Sequence, residues 1–194
     1  MDFVNFAQAW SALRGLGVEE AENTSDALRL ALSDVPGVTV VDVAASDHPR
    51  VASLPGEIPR LSRLRIASTI EMLIHKLRVN EIMVIPVGSW RHLFEAVGIT
   101  MAQHETWRAV DSTVTVELNT RDPLLFLPTE LRTLRDLVQA VLSEGRQDCH
   151  GIGITTTGRA LVIEVMPVGE VTFHCGNRLI AEQVLECLAA ASRP

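Results

Sequence analysis

Residues 38–87 constrain the fold more than any other part of the chain, because a strand, a long helix and a second strand follow one another there. Residues 38–43 (Val-Thr-Val-Val-Asp-Val) are rich in β-branched side chains, and residues 81–87 (Glu-Ile-Met-Val-Ile-Pro-Val) are almost continuously apolar, which is typical of buried strands. Between them, apolar residues at steps of three and four mark one face of a helix of about twenty residues: Leu61, Leu64, Ala67, Ile70, Leu73, Ile74 and Leu77. Strands joined in this way are expected to be parallel, with a right-handed crossover. The sequence therefore predicts a βαβ unit whose two strands are neighbours.

The second half of the chain has a different pattern. Residues 152–156, 160–166 and 170–175 are three apolar runs separated by turn residues, which predicts an antiparallel meander. Helices are predicted at 129–144 and 177–191, with their apolar faces on the side of the meander that carries Ile152, Ile154, Val171 and Phe173. The predicted fold class is α/β to α+β: a mixed sheet with an N-terminal βαβ crossover and a C-terminal antiparallel meander, and helices packed on it.

The remaining elements are predicted from shorter patterns. Helices are expected from Phe3 to Leu13, over 26–33 and over 90–97, and strands over 106–110 and 112–118. A long connection through Pro49, Pro55 and Pro59 is interpreted either as a functional flap or as a packed loop. Pro86 lacks a donor for the sheet, so its strand lies at an edge or ends there.

Composition and charge exclude several classes of protein. Of 194 residues, 47% are hydrophobic, and the 24 acidic residues outnumber the 17 basic ones. We expect one globular domain over 1–194, with a division into 1–99 and 100–194 as the alternative. The acidic balance argues against nucleic-acid binding, and no uncharged stretch approaches the roughly 20 apolar residues of a membrane span. The start of the chain has no basic region of a secretory signal, and three cysteines cannot all pair within the chain, so a cytoplasmic protein is expected.

Sequence motifs for catalysis are missing, which leaves open whether the chain is an enzyme. It contains no Gly-x-Gly-x-x-Gly or Walker loop, no Gly-x-Ser-x-Gly elbow, no His-Glu-x-x-His helix and no Cys-x-x-Cys pair. Cys149-His150 and His174-Cys175 contain zinc-type ligands. Neighbours on a strand point to opposite faces, however, so Cys175 is expected in the core and His174 outside it, without a metal or a cofactor. Glu117 and Glu164 are interpreted as solvated or Arg-paired side chains rather than as a catalytic carboxylate pair.

Polar residues follow both strands of the predicted βαβ unit, where ligands bind in open parallel sheets. The candidate ligand-binding residues are Asp47, Arg50, Ser89 and Arg91, and the candidate proton-transfer residues are His48 and His92. Ser89 begins a helix, whose free N–H groups favour an anion, and Arg91 would add a bidentate contact. In the alternative interpretation, Ser89 only caps the helix, and the charged residues are solvent-exposed loop residues without a ligand.

Two functions are consistent with this sequence. The first is a non-catalytic interaction or assembly module that binds a partner protein or forms a homo-oligomer, most simply a twofold dimer, because strong catalytic motifs are missing and the chain is apolar. The second is a small α/β enzyme or ligand-binding protein that acts on an anionic small molecule at the crossover edge. A polar concave pocket there would favour the second function, and a flat apolar patch the first.

Overall fold

A computed structural model describes residues 1–24, 26–33, 37–47, 58–113 and 121–193, with the backbone alone for 111–113. An eight-stranded mixed sheet and a two-stranded hairpin are packed with six helices within these ranges. The strands are β1 (Asp2–Phe3), β2 (Val18–Asn23), β3 (Leu28–Leu32), β4 (Thr39–Ala45), β5 (Arg60–Leu61), β6 (Ile82–Pro86), β7 (Leu124–Phe126), β8 (Ile152–Thr156), β9 (Leu161–Val165) and β10 (Glu170–Cys175). The helices are α1 (Phe6–Gly15), α2 (Arg63–Leu77), α3 (Trp90–Met101), α4 (Glu105–Thr113), α5 (Leu131–Glu144) and α6 (Arg178–Ala191). In the part of the chain described, no helix has the length and apolar character needed to cross a membrane.

The large sheet has the strand order β1-β7-β6-β8-β9-β10-β4-β5. Neighbouring strands are antiparallel except β4 and β5, which are parallel. Strands β8, β9 and β10 follow one another along the chain and across the sheet, with Ile154 opposite Ile163 and Phe173 opposite Ile163. The predicted mixed sheet with a C-terminal meander is confirmed.

The two strands of the predicted βαβ unit are not neighbours. Strands β4 and β6 point in the same direction and are joined through α2, but β8, β9 and β10 lie between them. The meander fills this space because β10 pairs with β4, with Val171 opposite Val43, and β8 pairs with β6, with Ile154 opposite Val84. The prediction that β4 and β6 lie side by side is therefore wrong. Pro86 is the last residue of β6, an interior strand, so the strand ends there rather than lying at an edge.

Helices α2, α3, α5 and α6 cover one face of the sheet and form the larger core with it. Leu134 of α5 and Val184 of α6 belong to this core, together with Ile154 and Phe173 from the meander. The helices predicted at 129–144 and 177–191 thus form and pack where expected. A short 3₁₀ turn, Pro128–Glu130, precedes α5, and Asn177 caps α6 by accepting a hydrogen bond from the amide of Ile180.

The opposite face of the sheet is covered by α1 and by the hairpin that β2 and β3 form. Leu13, Leu28 and Leu30 pack there against Met83, Ile85 and Val162 from β6 and β9. The sequence predicts a helix over 26–33, which follows the cap residues Asn23 and Thr24 and precedes the stop at Pro36-Gly37. The prediction is wrong because Leu28, Leu30 and Leu32 alternate toward the sheet with a period of two, and burial of that face overrides helix propensity.

The strand predicted at 106–110 also needs correction, as does the start of the strand predicted at 112–118. Residues 105–113 form α4, and residues 114–118 lie outside the described residues. Trp107 and Val110, one helical turn apart, are buried, and the Trp107 ring lies 4.8 Å from the Phe94 ring between centroids. This spacing places both residues on one face of a helix, which a strand cannot do.

Replacement of Leu134 by aspartate tests the helical layer. Leu134 is 1% exposed in α5, so Leu134→Asp buries a charge without a partner, and we expect a loss of at least about 3 kcal/mol in the free energy of unfolding. Leu179→Asp is the control, because Leu179 in α6 is 64% exposed. Urea denaturation monitored by circular dichroism measures both variants. Equal stability of Leu134→Asp and wild type would contradict this packing.

A partly buried ion pair joins the hairpin to the large sheet. Glu164 in β9 is 5% exposed, and Arg29 in β3 donates two hydrogen bonds to its carboxylate, one of them 2.7 Å from Nε to Oε1. The hydrogen bond with Glu164 raises the pKa of Arg29. Glu164 is therefore Arg-paired, as one of the interpretations of this carboxylate predicts, whereas Glu117 lies outside the described residues.

A double-mutant cycle measures what this ion pair contributes. Arg29→Met leaves the Glu164 carboxylate buried and unpaired, which should cost about 1–3 kcal/mol, the lower end reflecting the partial exposure of Arg29. Arg29→Met combined with Glu164→Leu should recover most of that loss, because an apolar pair needs no partner. If Arg29→Met alone has wild-type stability in chemical denaturation, the pair does not hold the hairpin.

Candidate functional site

A cavity of about 440 Å³ lies between the β2–β3 hairpin and the first turn of α3. Its wall contains residues from four separate parts of the chain: Phe6, Asn23, Thr24, Asp26, Leu28, Gly88, Ser89, His92 and Arg121. The volume is within the range of about 300–1,000 Å³ that is usual for small-molecule sites. Two smaller cavities lie elsewhere: one of about 310 Å³ has a mixed wall that includes Ile74, Val79 and Leu131, and one of about 320 Å³ is lined by Gln103, His104, Arg132 and Asp136.

The segment between β6 and α3 forms the floor of this cavity. The carbonyl oxygen of Val87 accepts a hydrogen bond from the amide of Leu28 at 2.7 Å, which ties the hairpin to the end of β6. The amide of Gly88 donates to the carbonyl oxygen of Cys149 at 3.1 Å, on the other side of the same segment. A Cβ atom at Gly88 would lie 2.6 Å from that oxygen and 3.0 Å from His92 Nδ1. Glycine is thus required by the close approach of two backbone segments.

Two residues of the first turn of α3, Ser89 and His92, line the cavity. Ser89 caps the helix, and its Oγ atom accepts from the amide of His92 at 3.5 Å and lies 3.2 Å from His92 Nδ1. The amides of Trp90 and Arg91, the first two of the helix, have no hydrogen-bond acceptor in the described part of the chain. Such amides carry the partial positive charge of a helix N-terminus and favour an anion.

Trp90 holds this helix start in position. Its side chain is fully buried, and Nε1 donates to the carbonyl oxygen of Asp122 at 2.8 Å. The Phe3 ring meets the Trp90 ring edge-on, 5.3 Å between centroids. The Asp122 carboxylate in turn accepts from the amide of Phe6 at 2.8 Å, at the start of α1. The first turn of α3 is therefore fixed to both α1 and the segment before β7.

Arg121 adds a positive charge beside this helix terminus. Its guanidinium donates from Nε to the carbonyl oxygen of Gly88 at 2.9 Å and from Nη2 to the carbonyl oxygen of Thr24 at 3.0 Å. A longer contact of 3.5 Å joins Nη1 to Asn23 Oδ1. Arg121 thus bridges the hairpin and the β6–α3 segment. Sequence reasoning missed it, because Arg121 meets Gly88 across 33 residues and no local pattern indicates that contact.

The structure brings together two of the six predicted site residues. Ser89 and His92 line the cavity, whereas Arg91 is exposed on the first turn of α3 and is not part of the wall. Asp47 lies just after the C-terminal end of β4. Partial burial acts to raise the pKa of its carboxyl group, but hydrogen bonds from Arg63 lower that pKa overall. Strands β4 and β6 are four strand spacings apart, about 19 Å. His48 and Arg50 lie outside the described residues.

The titratable residues near the cavity do not form an activated nucleophile or a metal site. Burial raises the pKa of the Cys149 thiol, so this thiol stays protonated at neutral pH. Burial also lowers the pKa of His150, and the nearby His92 adds to this shift. Among the residues that the structure describes, no group of three or more His, Cys, Asp or Glu side chains is arranged to hold a metal ion. Cys175 lies in the larger core with Val171 and Phe173, as the sequence predicts.

Comparison of the chain with protein-family models, with curated proteins and with solved structures found no match. The functional argument therefore rests on the cavity itself. Its wall combines a helix N-terminus, the guanidinium of Arg121, the carboxylate of Asp26 and the apolar side chains of Phe6 and Leu28. This arrangement suits the binding of a small polar molecule more than a covalent reaction.

The close contacts of Gly88 give a direct test of the cavity floor. Gly88→Ala should cost about 1–3 kcal/mol of stability, because the added methyl group would overlap the backbone at Cys149. Gly98→Ala is the matched control: Gly98 lies within α3 with no atom within 4 Å of an added Cβ, so alanine should stabilise the helix by about 0.5–1 kcal/mol. Thermal melts of the two variants that shift in the same direction would contradict the geometry.

Proposed function

We propose that the protein binds a small carboxylate-bearing molecule in the cavity between the β2–β3 hairpin and α3. The observation that carries this proposal is the first turn of α3: Ser89 and His92 line the cavity together with Arg121, and the amides of Trp90 and Arg91 in the same turn have no acceptor in the described ranges. Free helix amides and a guanidinium are the usual partners of carboxylate and phosphate oxygens. This is the second of the two functions that the sequence suggests.

The charge balance of the wall favours a monoanion. The wall contains one acidic residue, Asp26, and one basic residue, Arg121, so a ligand with a single negative charge is repelled less by this wall than a phosphate, which carries more negative charge at neutral pH. Phe6 and Leu28 form an apolar part of the wall, where a short aliphatic or aromatic group would be buried. A small organic acid with an apolar body fits this combination of groups.

Binding without chemical conversion is the simplest role for this site. His92 lines the wall, but burial raises the pKa of the Cys149 thiol, which therefore is not an activated nucleophile. We place the protein in the cytoplasm, which is supported by the unpaired state of Cys149, Cys175 and Cys187.

Titration of the ¹⁵N-labelled protein with benzoate tests the proposal. Benzoate should shift the amide signals of Trp90 and Arg91 in a saturable manner, whereas benzamide, which has the same shape without the charge, should not. His92→Trp should abolish this binding at unchanged melting temperature, because His92 is exposed at the mouth of the cavity and has room for a larger ring. Arg121→Met should weaken binding about tenfold or more.

Arg91→Ala is the matched control, because Arg91 is an exposed neighbour outside the wall. This variant should bind benzoate like wild type. Equal responses to benzoate and benzamide, or shifts confined to residues far from α3, would show that the cavity is not a carboxylate site.

A further inference from the structure

Among the described residues, a partner strand covers the outer edge of β4 only near its C-terminal end. Strand β5 pairs with β4 at Ala44 and Ala45 alone, where the amides of Ala44 and Ser46 donate to the carbonyl oxygens of Pro59 and Leu61 at 2.9 and 2.7 Å. Backbone groups alternate in direction along a strand, so the amide and carbonyl groups of Val40 and Asp42 face the same outward side. Within the described ranges, no residue forms a hydrogen bond with them there.

Asp42 is the one charged side chain of β4, and the residues before it are uncharged. Residues 38–41 (Val-Thr-Val-Val) have high β propensity and no charge, and Val40 is 53% exposed. Edge strands are usually blocked by lysine, proline, a bulge or a very short strand. The described terminal strands at both edges, β1 and β5, have two residues each, but β5 pairs with β4 at Ala44 and Ala45 and so leaves the first residues of β4 beyond its reach. The β4 edge is therefore a template for a further strand.

We propose that this edge pairs with the β4 edge of a second copy of the chain, in an antiparallel manner about a twofold axis at Val40. This inference does not depend on the proposed carboxylate site. In this register Val40 lies opposite Val40 of the second copy, Thr39 opposite Val41, and Val38 opposite Asp42. No like charges face each other across the pair, and β-branched side chains are favourable cross-strand partners.

The second copy fits this edge better than a longer peptide does. Strand β5 occupies the edge beside Ala44 and Ala45, so an added strand has room for about five residues before it meets β5. A copy of β4 has an edge of the same length. In a twofold pair, the outward amide and carbonyl groups of Val40 and Asp42 in each copy find partners in the other copy. Five residue pairs bury less area than a stable interface needs, so the dimer forms in a concentration-dependent manner.

Sedimentation velocity over about 5–500 μM protein tests this inference, a range that covers weak association. Wild type should shift from the 21.2 kDa monomer toward twice that mass. Val40→Lys should remain monomeric at every concentration, because two like charges would face each other on the axis, and its melting temperature should be unchanged since Val40 is exposed. Leu185→Lys, at a 52% exposed position on α6, is the matched control and should dimerise like wild type.

A cysteine at the axis tests the register. Val40→Cys should form an intermolecular disulfide when an oxidised dithiol is added, because directly opposed residues lie within disulfide distance. A monomer at all concentrations, or a dimer that Val40→Lys leaves intact, would overturn the inference. An Asp42→Cys protein that cross-links faster than Val40→Cys would overturn the register.

Discussion

The central strands of the sheet are apolar on both faces, and the rest of the structure depends on this constraint. In β6, Ile82 and Val84 face the larger core while Met83 and Ile85 face the smaller one. A sheet of this kind must be covered on both sides, because leaving either face in water would forfeit the burial that stabilises it. Four helices cover one face. The other is covered by α1 and a hairpin of limited area, whose position is set by leucines and by the Arg29–Glu164 ion pair.

The position of the hairpin creates the candidate site. Leu28 binds the end of β6 through Val87, and the Arg121 guanidinium bridges Thr24 and Gly88. These contacts bring the hairpin beside the first turn of α3, and the cavity lies between the hairpin and the β6–α3 segment. The polar groups in the cavity wall thus follow from how the smaller face is covered. The docked hairpin therefore has two roles: it covers the smaller face of the sheet, and it forms one wall of the proposed binding cavity.

The sequence predicts those parts of the fold whose signals are local. Helix α5 and the meander have clear periodicity, and the structure confirms them. Strand β3 was missed because leucine and alanine favour a helix until the sheet provides a surface for Leu28 and Leu30. Strand order is not encoded in local periodicity, so the separation of β4 from β6 was not predictable from the sequence.

The candidate site divides in the same manner. Ser89 and His92 were found because a helix cap after a buried strand is a local pattern. Arg121 and Asp26 reach the cavity through contacts between distant parts of the chain. Asp47 was expected in the site on the assumption that β4 and β6 are neighbours, and the strand order removes that assumption. Local patterns therefore identify one wall of the cavity, and the tertiary fold supplies the other.

Native-state hydrogen exchange at the Leu28 amide is the most direct test of the docked hairpin. This amide donates to the carbonyl oxygen of Val87 and joins the hairpin to the end of β6. If the hairpin is a structural cover of the sheet, the Leu28 amide should exchange with a free energy close to that of the β6 amides, because both open in the same cooperative unit. Exchange of the Leu28 amide at the rate of an unstructured loop, while β6 stays protected, would contradict the account.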